Sequence, residues 1–176
     1  MANLRVKTYV DAREALNILR VYCKKRKKGS FELLSIDEIH LPYHILLNKT
    51  SIRRGFGLKP RIIEHIYWVN AVTGSIVRST AIPETEEIRK GKKVNPEMDL
   101  EKCKKLSYEN ALKHAVRFYK SFWIPEVEVI EKALVYLTYW HLTVRYDNQN
   151  NDNKEQFLIN SYSGEIIDAK KDFFTG

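Results

Sequence analysis

The sequence predicts an α+β protein of two repeats, each with one helix packed on an antiparallel β-sheet of three to four strands. Three observations predict this class: a self-similarity at an offset of 96 residues, an apolar helical stripe in each copy, and a glycine turn near the end of each copy. Composition agrees, because 44% of the 176 residues are apolar, which is enough to build a core. A disordered chain is therefore excluded.

The repeat is visible in the residues themselves. An offset of 96 superposes 11–48 on 107–144 with seven identical residues in 38 positions, whereas about two are expected by chance from ordinary residue frequencies. We therefore divide the chain into a first, basic repeat at 1–82, a connector at 83–106 and a second repeat at 107–176.

Each copy starts with a predicted amphipathic helix. Apolar residues recur with helical spacing at 12, 15, 16, 19, 22 and 23, and again at 108, 111, 112, 115, 118 and 119. Asp11 and Ser107 precede these stripes and are the predicted N-caps. The helices are expected to end near Gly29, a left-handed cap, and near Pro125, a helix breaker.

The connector is strongly charged, with 13 acidic or basic residues among 24, which is typical of a solvated segment. Asn95 followed by Pro96 resembles a helix start, so we expect a short extra helix that continues to Lys105.

Strands follow each helix. Residues 31–34 and 38–47 are predicted strands of the first copy, and 127–130 and 134–144 are their counterparts. At an offset of 90, residues 67–77 align with 157–167, which predicts a closing hairpin in each copy. The predicted structural turn residues are Asn70, Thr73, Gly74, Asn160, Ser163 and Gly164.

The closing motif resembles the end of a PepSY domain. The motif is an apolar residue, Asn, two further residues, Thr or Ser, Gly, one further residue and two apolar residues, and it occurs at 69–77 and 159–167. The resemblance covers two copies, at about 11–80 and 107–170, and implies a PepSY/cystatin-like arrangement. It also implies a non-catalytic regulatory or inhibitory module that binds a partner protein.

The charge is uneven along the chain. The net charge is +8, and residues 1–100 carry all of this excess. The simplest explanation of the excess positive charge is a solvated surface in which cations complement a helix C-terminus. Alternatively, the charge binds an acidic protein, a membrane surface or nucleic acid. The candidate partner-binding residues are Lys24, Lys25, Arg26, Lys27, Lys28, Arg53, Arg54, Lys59 and Arg61.

The distribution of aromatic residues along the sequence argues against nucleic-acid binding. Proteins that bind single strands interleave exposed aromatic rings with cations, but the rings of this chain are concentrated in the second repeat and the cations in the first. We therefore expect a protein-interaction module first and a nucleic-acid-associated protein second. Small-molecule binding in a cleft between the repeats is the third hypothesis.

No catalytic residue, cofactor or metal ligand is predicted. The sequence contains no nucleophile elbow, Walker loop, GxGxxG or HExxH motif. His40 and His44 lie on a predicted strand, where residues four apart are about 13 Å from each other and do not share a metal. His65 and His114 have no partner nearby in the sequence.

The sequence also allows predictions about membrane insertion and cellular compartment. The longest apolar stretch, at 133–144, is too short to span a bilayer, so no membrane span is expected. Without a signal sequence at its start the chain is expected to be soluble and cytoplasmic, or extracytoplasmic if a leader was removed. The candidate partners are a protein, nucleic acid and a second copy of the chain.

Overall fold

The structure is a computed structural model that describes residues 4–119, 123–146 and 154–168. These residues form two helices and nine strands, in the order β1 (Leu4–Val6), α1 (Ala12–Lys25), β2 (Phe31–Ile52), β3 (Arg61–Asn70), β4 (Ile76–Ser79), β5 (Thr85–Glu87), β6 (Lys92–Lys93), α2 (Leu100–Tyr119), β7 (Glu126–Tyr146), β8 (Lys154–Asn160) and β9 (Ile166–Asp168). No helix among the described residues is long and apolar enough to cross a lipid bilayer.

The nine strands belong to one mixed sheet. Its main path has the order β4-β3-β2-β7-β1-β5, while β6 pairs with β2, and β8 pairs with both β7 and β9. The hairpin pairs β2/β3, β3/β4, β7/β8 and β8/β9 are antiparallel. The pairs β1/β7 and β2/β6 are parallel.

The prediction of two repeats, each a helix on its own sheet of three to four strands, is wrong. The runs predicted as separate strands are continuous, so that β2 has 22 residues and β7 has 21. The physical reason is that 35–37 (Ser-Ile-Asp) and 131–133 (Glu-Lys-Ala) contain no Gly or Asn that would reverse the chain in a tight turn. Each strand therefore runs on in the extended conformation.

The long strands also change which helix shares a core with which strands. The chain forms two compact units, and we name each after its helix. The α1 unit is Met1–His40, Thr85–Val94 and Tyr136–Gly176, and the α2 unit is Leu41–Glu84 and Asn95–Val135. Since β2 leaves the α1 unit at His40 and β7 enters it at Tyr136, α1 shares its unit with β8 and β9, which lie at the other end of the sequence.

The core of the α1 unit forms on one face of α1. Ala15, Leu19 and Cys23 are buried at intervals of four residues, as an amphipathic helix requires. They cluster with buried side chains of β7 and β8, among them Leu142 and Phe157. The predicted N-cap is confirmed, since the Asp11 carboxylate accepts a hydrogen bond from the Glu14 amide at 2.8 Å.

The C-terminal end of α1 differs from the prediction. The Lys28 amide donates to the Cys23 carbonyl, and the Lys27 amide donates to the Lys24 carbonyl. This pair of bonds is a Schellman motif, which places Lys27 at the left-handed position, with φ of 54°. The left-handed cap is therefore Lys27, two residues before the predicted Gly29.

Helix α2 starts earlier than predicted. The Asp99 carboxylate accepts a hydrogen bond from the Lys102 amide at 2.8 Å and caps a single helix that begins at Leu100. The short helix predicted in the connector is therefore the beginning of α2. Ser107, the predicted N-cap, is buried inside the helix, where its hydroxyl donates to Asn48 Oδ1 at 2.8 Å.

The closing hairpins share one hydrogen-bond pattern. Asn70 Oδ1 accepts from the amides of the residues two and three positions later, and Asn160 Oδ1 does the same in its own turn. Gly74 and Gly164 adopt φ of 73° and 72°, a left-handed conformation that favours glycine. The amide of each glycine donates to the carbonyl of its own Asn.

Each hairpin meets the segment before the helix of its own unit. In the α2 unit the Glu97 and Met98 amides donate to the Ala71 carbonyl. In the α1 unit the Tyr9 and Val10 amides donate to the Ser161 carbonyl. Thus α1 is tied to the hairpin that is distant in sequence, which is the reverse of the predicted arrangement.

Candidate functional site

The predicted basic residues fall into two groups, one in each unit. Lys24 to Lys28 belong to the α1 unit, whereas Arg53, Arg54, Lys59 and Arg61 belong to the α2 unit. Each group is therefore described within its own unit.

The five consecutive cations of the α1 unit differ in their contacts. The Arg26 guanidinium lies 5.6 Å from the centre of the Tyr22 ring. Lys28 is half-buried, donates to Glu155 Oε2 at 2.6 Å and lies 5.3 Å from the centre of the Phe157 ring. Two of the five cations are therefore engaged with side chains of their own unit.

The basic segment of the α2 unit is a turn that presents an aromatic ring. Phe56 has a positive φ of 60° and is fully exposed. The Arg54 guanidinium donates to the Lys59 carbonyl at 2.9 Å and ties the two arms of the turn together. Arg53 forms an exposed ion pair with Glu126 at 3.0 Å. Arg61, the first residue of β3, leads from this turn into the sheet.

Next to this segment, the α2 unit contains a groove of about 930 Å³. Its walls are formed by residues of β2 and β3, the end of β4 and the last two turns of α2. The side chains that define its chemistry are Glu64, His65, Arg78, His114, Phe118 and Tyr119.

Aromatic rings in this groove contact each other and two arginines. The His65 and His114 rings are 5.0 Å apart edge to face, and His114 is 4.4 Å from Phe118. Arg78 Nη1 lies 2.8 and 3.1 Å from the two ring nitrogens of His114, so the guanidinium lies across the imidazole. The Arg61 guanidinium lies 4.9 Å from the centre of the Tyr119 ring, within the range of a cation–π contact.

Both histidines of the groove have pKa values lowered from the ordinary value of 6.5. Burial lowers the pKa of His65, and the nearby His114 and Arg78 lower it further. Burial and Arg78 also lower the pKa of His114. At neutral pH both rings are therefore flat, uncharged surfaces, and the positive charge comes from the arginines.

The acidic side chain of the groove is already engaged. Glu64 Oε1 lies 3.7 Å from Lys49 Nζ, and both side chains are exposed. Arg78 is exposed, and 64% of the Phe118 surface is accessible to solvent. An anionic ligand that also carries flat rings would therefore meet both a cation and a stacking surface here.

Sequence reasoning missed this groove because its parts are far apart in the chain. Phe118 and Tyr119 lie in the predicted second repeat, whereas Arg61 and Arg78 lie in the first. The expectation that rings and cations stay apart is wrong, because α2 shares its unit with β3 and β4. Phe122, another ring of that stretch, lies outside the described residues.

His40 and His44 have partners inside the fold. His40 is fully buried, with Nδ1 3.0 Å from Thr138 Oγ1 and Nε2 2.6 Å from the Lys90 carbonyl oxygen. His44 Nδ1 lies 2.9 Å from Glu131 Oε1. Within the described part of the chain, no group of three or more His, Cys, Asp or Glu side chains is arranged to hold a metal ion.

No family model, curated protein or solved structure matches this chain. The resemblance to PepSY domains and the regulatory role that it implies therefore stay predictions.

Proposed function

We propose that the protein is a non-catalytic binding protein that holds single-stranded nucleic acid in the groove of the α2 unit. The observation that carries this proposal is a pair of arginines on rings that line one groove: Arg78 lies across His114 in the groove, and Arg61 lies beside the groove over Tyr119. Backbone phosphates need cations and unpaired bases need flat rings, and the groove supplies both.

The roles divide between the two kinds of side chain. Arg61 and Arg78 are assigned to phosphates, because both guanidinium groups lie in or beside the groove. Phe118 and Tyr119 are assigned to bases, because stacking on an aromatic side chain stabilises binding by about 1–3 kcal/mol per base. Such stacking does not depend strongly on base identity, so we expect little sequence preference.

A single strand fits these observations better than a duplex. Rings stack on bases only where the bases are unpaired, whereas a duplex exposes mainly phosphates and base edges. The exposed face of Phe118 would have no role on a duplex.

The test is fluorescence anisotropy with a labelled oligouridylate and a labelled oligothymidylate of roughly 12 nucleotides, titrated at several salt concentrations. We expect binding that weakens steeply between about 50 and 200 mM salt. The double variant Arg61→Ala/Arg78→Ala should bind much more weakly. Arg13→Ala removes one exposed arginine of α1 and is the control for loss of positive charge outside the groove; it should change affinity less than about twofold.

Two outcomes would overturn the proposal. One is the absence of salt-dependent binding to both oligonucleotides. The other is equal weakening by the groove variant and by Arg13→Ala, which would indicate general attraction to a basic protein. Tight binding of an acidic polypeptide together with no oligonucleotide binding would favour the protein-interaction hypothesis instead.

A further inference from the structure

A second basic concavity lies in the α1 unit, at the C-terminal end of α1. It has a volume of about 570 Å³, and Arg20, Lys24, Lys27, Gly29, Ser30 and Phe31 line it. No acidic side chain is among the described residues that line it. From these features we infer that the concavity is a binding site for anions that carry adjacent phosphate groups.

The helix end explains why three cations meet there. Arg20 and Lys24 are one turn apart and share a face of α1. The Schellman motif then reverses the chain, so that Lys27 lines the same concavity. Like charges one turn apart destabilise a helix unless an anion lies between them. The helix C-terminus offsets part of this repulsion, because cations there complement the helix dipole, and an anion bound between the side chains would offset the rest.

The residue at position 27 is an independent sign of function. The left-handed position of a Schellman motif is usually glycine, because a side chain there is strained. This chain has Lys27 with φ of 54° at that position, although glycine stands two residues later. A strained lysine that lines a basic concavity is better explained by what its ammonium group binds than by the fold.

The other cations of the run are excluded from the site by their contacts. Arg26 lies over Tyr22, and Lys28 pairs with Glu155. Lys25 does not line the concavity. The site therefore uses two of the five consecutive cations together with Arg20, which the sequence did not single out.

The number of charges and the volume define the ligand class. Three cations around one concavity match a chain of two or three phosphates better than a single phosphate, which is much smaller than 570 Å³. The half-buried Phe31 ring adds an apolar wall. Inorganic polyphosphate and the phosphate chain of a nucleotide share this chemistry.

Isothermal titration calorimetry with tripolyphosphate, ATP and inorganic phosphate tests the inference. The wild-type protein should bind tripolyphosphate at least about tenfold more tightly than inorganic phosphate. Equal affinities for ATP and tripolyphosphate would identify an inorganic polyphosphate site, and tighter binding of ATP would identify a nucleotide site; both support the inference.

Matched variants separate this site from general charge. Lys27→Gly removes the ammonium group and suits the left-handed conformation, so affinity should fall about tenfold while the melting temperature stays the same or rises. Arg20→Ala/Lys24→Ala should weaken binding further. Lys25→Ala, on the same helix end, and Arg61→Ala/Arg78→Ala, in the groove of the α2 unit, should keep affinity within about twofold.

Three results would overturn the inference: no binding of tripolyphosphate, unchanged binding by Lys27→Gly, or equal losses in Lys25→Ala and Lys27→Gly. Loss of tripolyphosphate binding in the groove variant alone would place the site in the α2 unit instead. None of these results depends on whether the groove binds nucleic acid, so the two proposals fail separately.

Discussion

The two basic regions of this protein have similar residues and different surroundings. At the end of α1, the rings near the cations belong to the packed interior, since Phe157 is buried and Tyr22 is half-buried. In the α2 unit, Phe118 lines the groove together with Arg78 and is exposed, and Tyr119 is half-buried with Arg61 over its ring. The first region therefore offers cations beside rings that are at least half-buried, whereas the second also offers an exposed ring, Phe118, as a stacking surface.

This contrast shows that the density of positive charge along a sequence is a poor guide to a nucleic-acid site. The densest cluster of cations is at 24–28, and its members have different contacts. Arg26 packs on a ring, Lys28 forms an ion pair, and Lys24 and Lys27 line a concavity. The groove has fewer cations, taken from distant parts of the chain, but each lies on an aromatic ring.

The largest loss of oligonucleotide affinity is expected when the two arginines Arg61 and Arg78 are replaced. Arg61→Ala/Arg78→Ala removes two charge-assisted contacts, together about 3 kcal/mol, so oligonucleotide affinity should fall about 100-fold. The slope of log K against log salt should also decrease by about 1.4, because each lost phosphate contact contributes about 0.7 for a single strand. Anisotropy titrations over a salt series measure both quantities, and an unchanged slope would contradict the assignment to phosphates.

The next effect concerns stacking. Phe118→Ala removes an exposed ring without changing charge, so affinity should fall about tenfold at every salt concentration while the salt slope stays constant. Val116→Ala, a half-exposed apolar residue on the same helix outside the groove lining, is the control and should change affinity little. Equal losses in the two variants would mean that α2 contributes through its fold and not through the ring.

Lys28 tests whether a cation of the α1 unit contributes to stability and not to oligonucleotide binding. Lys28→Ala removes a partly buried ion pair with Glu155, so the free energy of unfolding should fall by about 1 kcal/mol. Oligonucleotide affinity should stay within about twofold, because this cation is engaged inside its own unit. Urea denaturation and anisotropy on the same sample measure the two effects. A large loss of oligonucleotide affinity with unchanged stability would contradict this role of Lys28 and indicate that it binds the oligonucleotide.

The smallest effect is expected from pH. His65 and His114 have lowered pKa values in the folded protein, so the unfolded chain binds more protons as the pH falls below the ordinary value of 6.5. Stability of the free protein should therefore decrease from pH 6.5 downward. Oligonucleotide affinity should increase over the same interval, because protonated imidazoles add positive charge to the groove. His114→Gln should reduce the pH dependence of binding, and an unchanged profile would contradict the role of the pair.

Several local features could be predicted from the sequence. Asp11 caps α1 as expected, and the buried stripe at Ala15, Leu19 and Cys23 follows from helical spacing. The turn at Asn70 and Gly74 uses an amide side chain and a left-handed glycine, both of which are visible in one short motif. Such features depend on residues within a few positions of each other.

The start of α2 could not be predicted from local signals, because neither of the predicted helix starts, Asn95 and Ser107, is the residue that caps it. Ser107 and Asp99 are both good N-cap residues, and the apolar stripe aligned with the first copy favoured Ser107. Tertiary packing decided for the longer helix, since burial of Cys103 and Ser107 requires the extra turns. The hydroxyl of Ser107 then finds its partner in Asn48, 59 residues away.

By itself, the sequence determined the helical faces, the hairpin turns, the strand-forming runs and the excess of positive charge, because each depends on local periodicity or composition. The tertiary structure decided which elements share a core and which cations meet rings. The physical reason is that β2 and β7 continue without a turn, so each of these strands passes through both units. Continuity of a strand over more than 20 residues depends on pairing with other strands, and that pairing joins residues far apart in the chain.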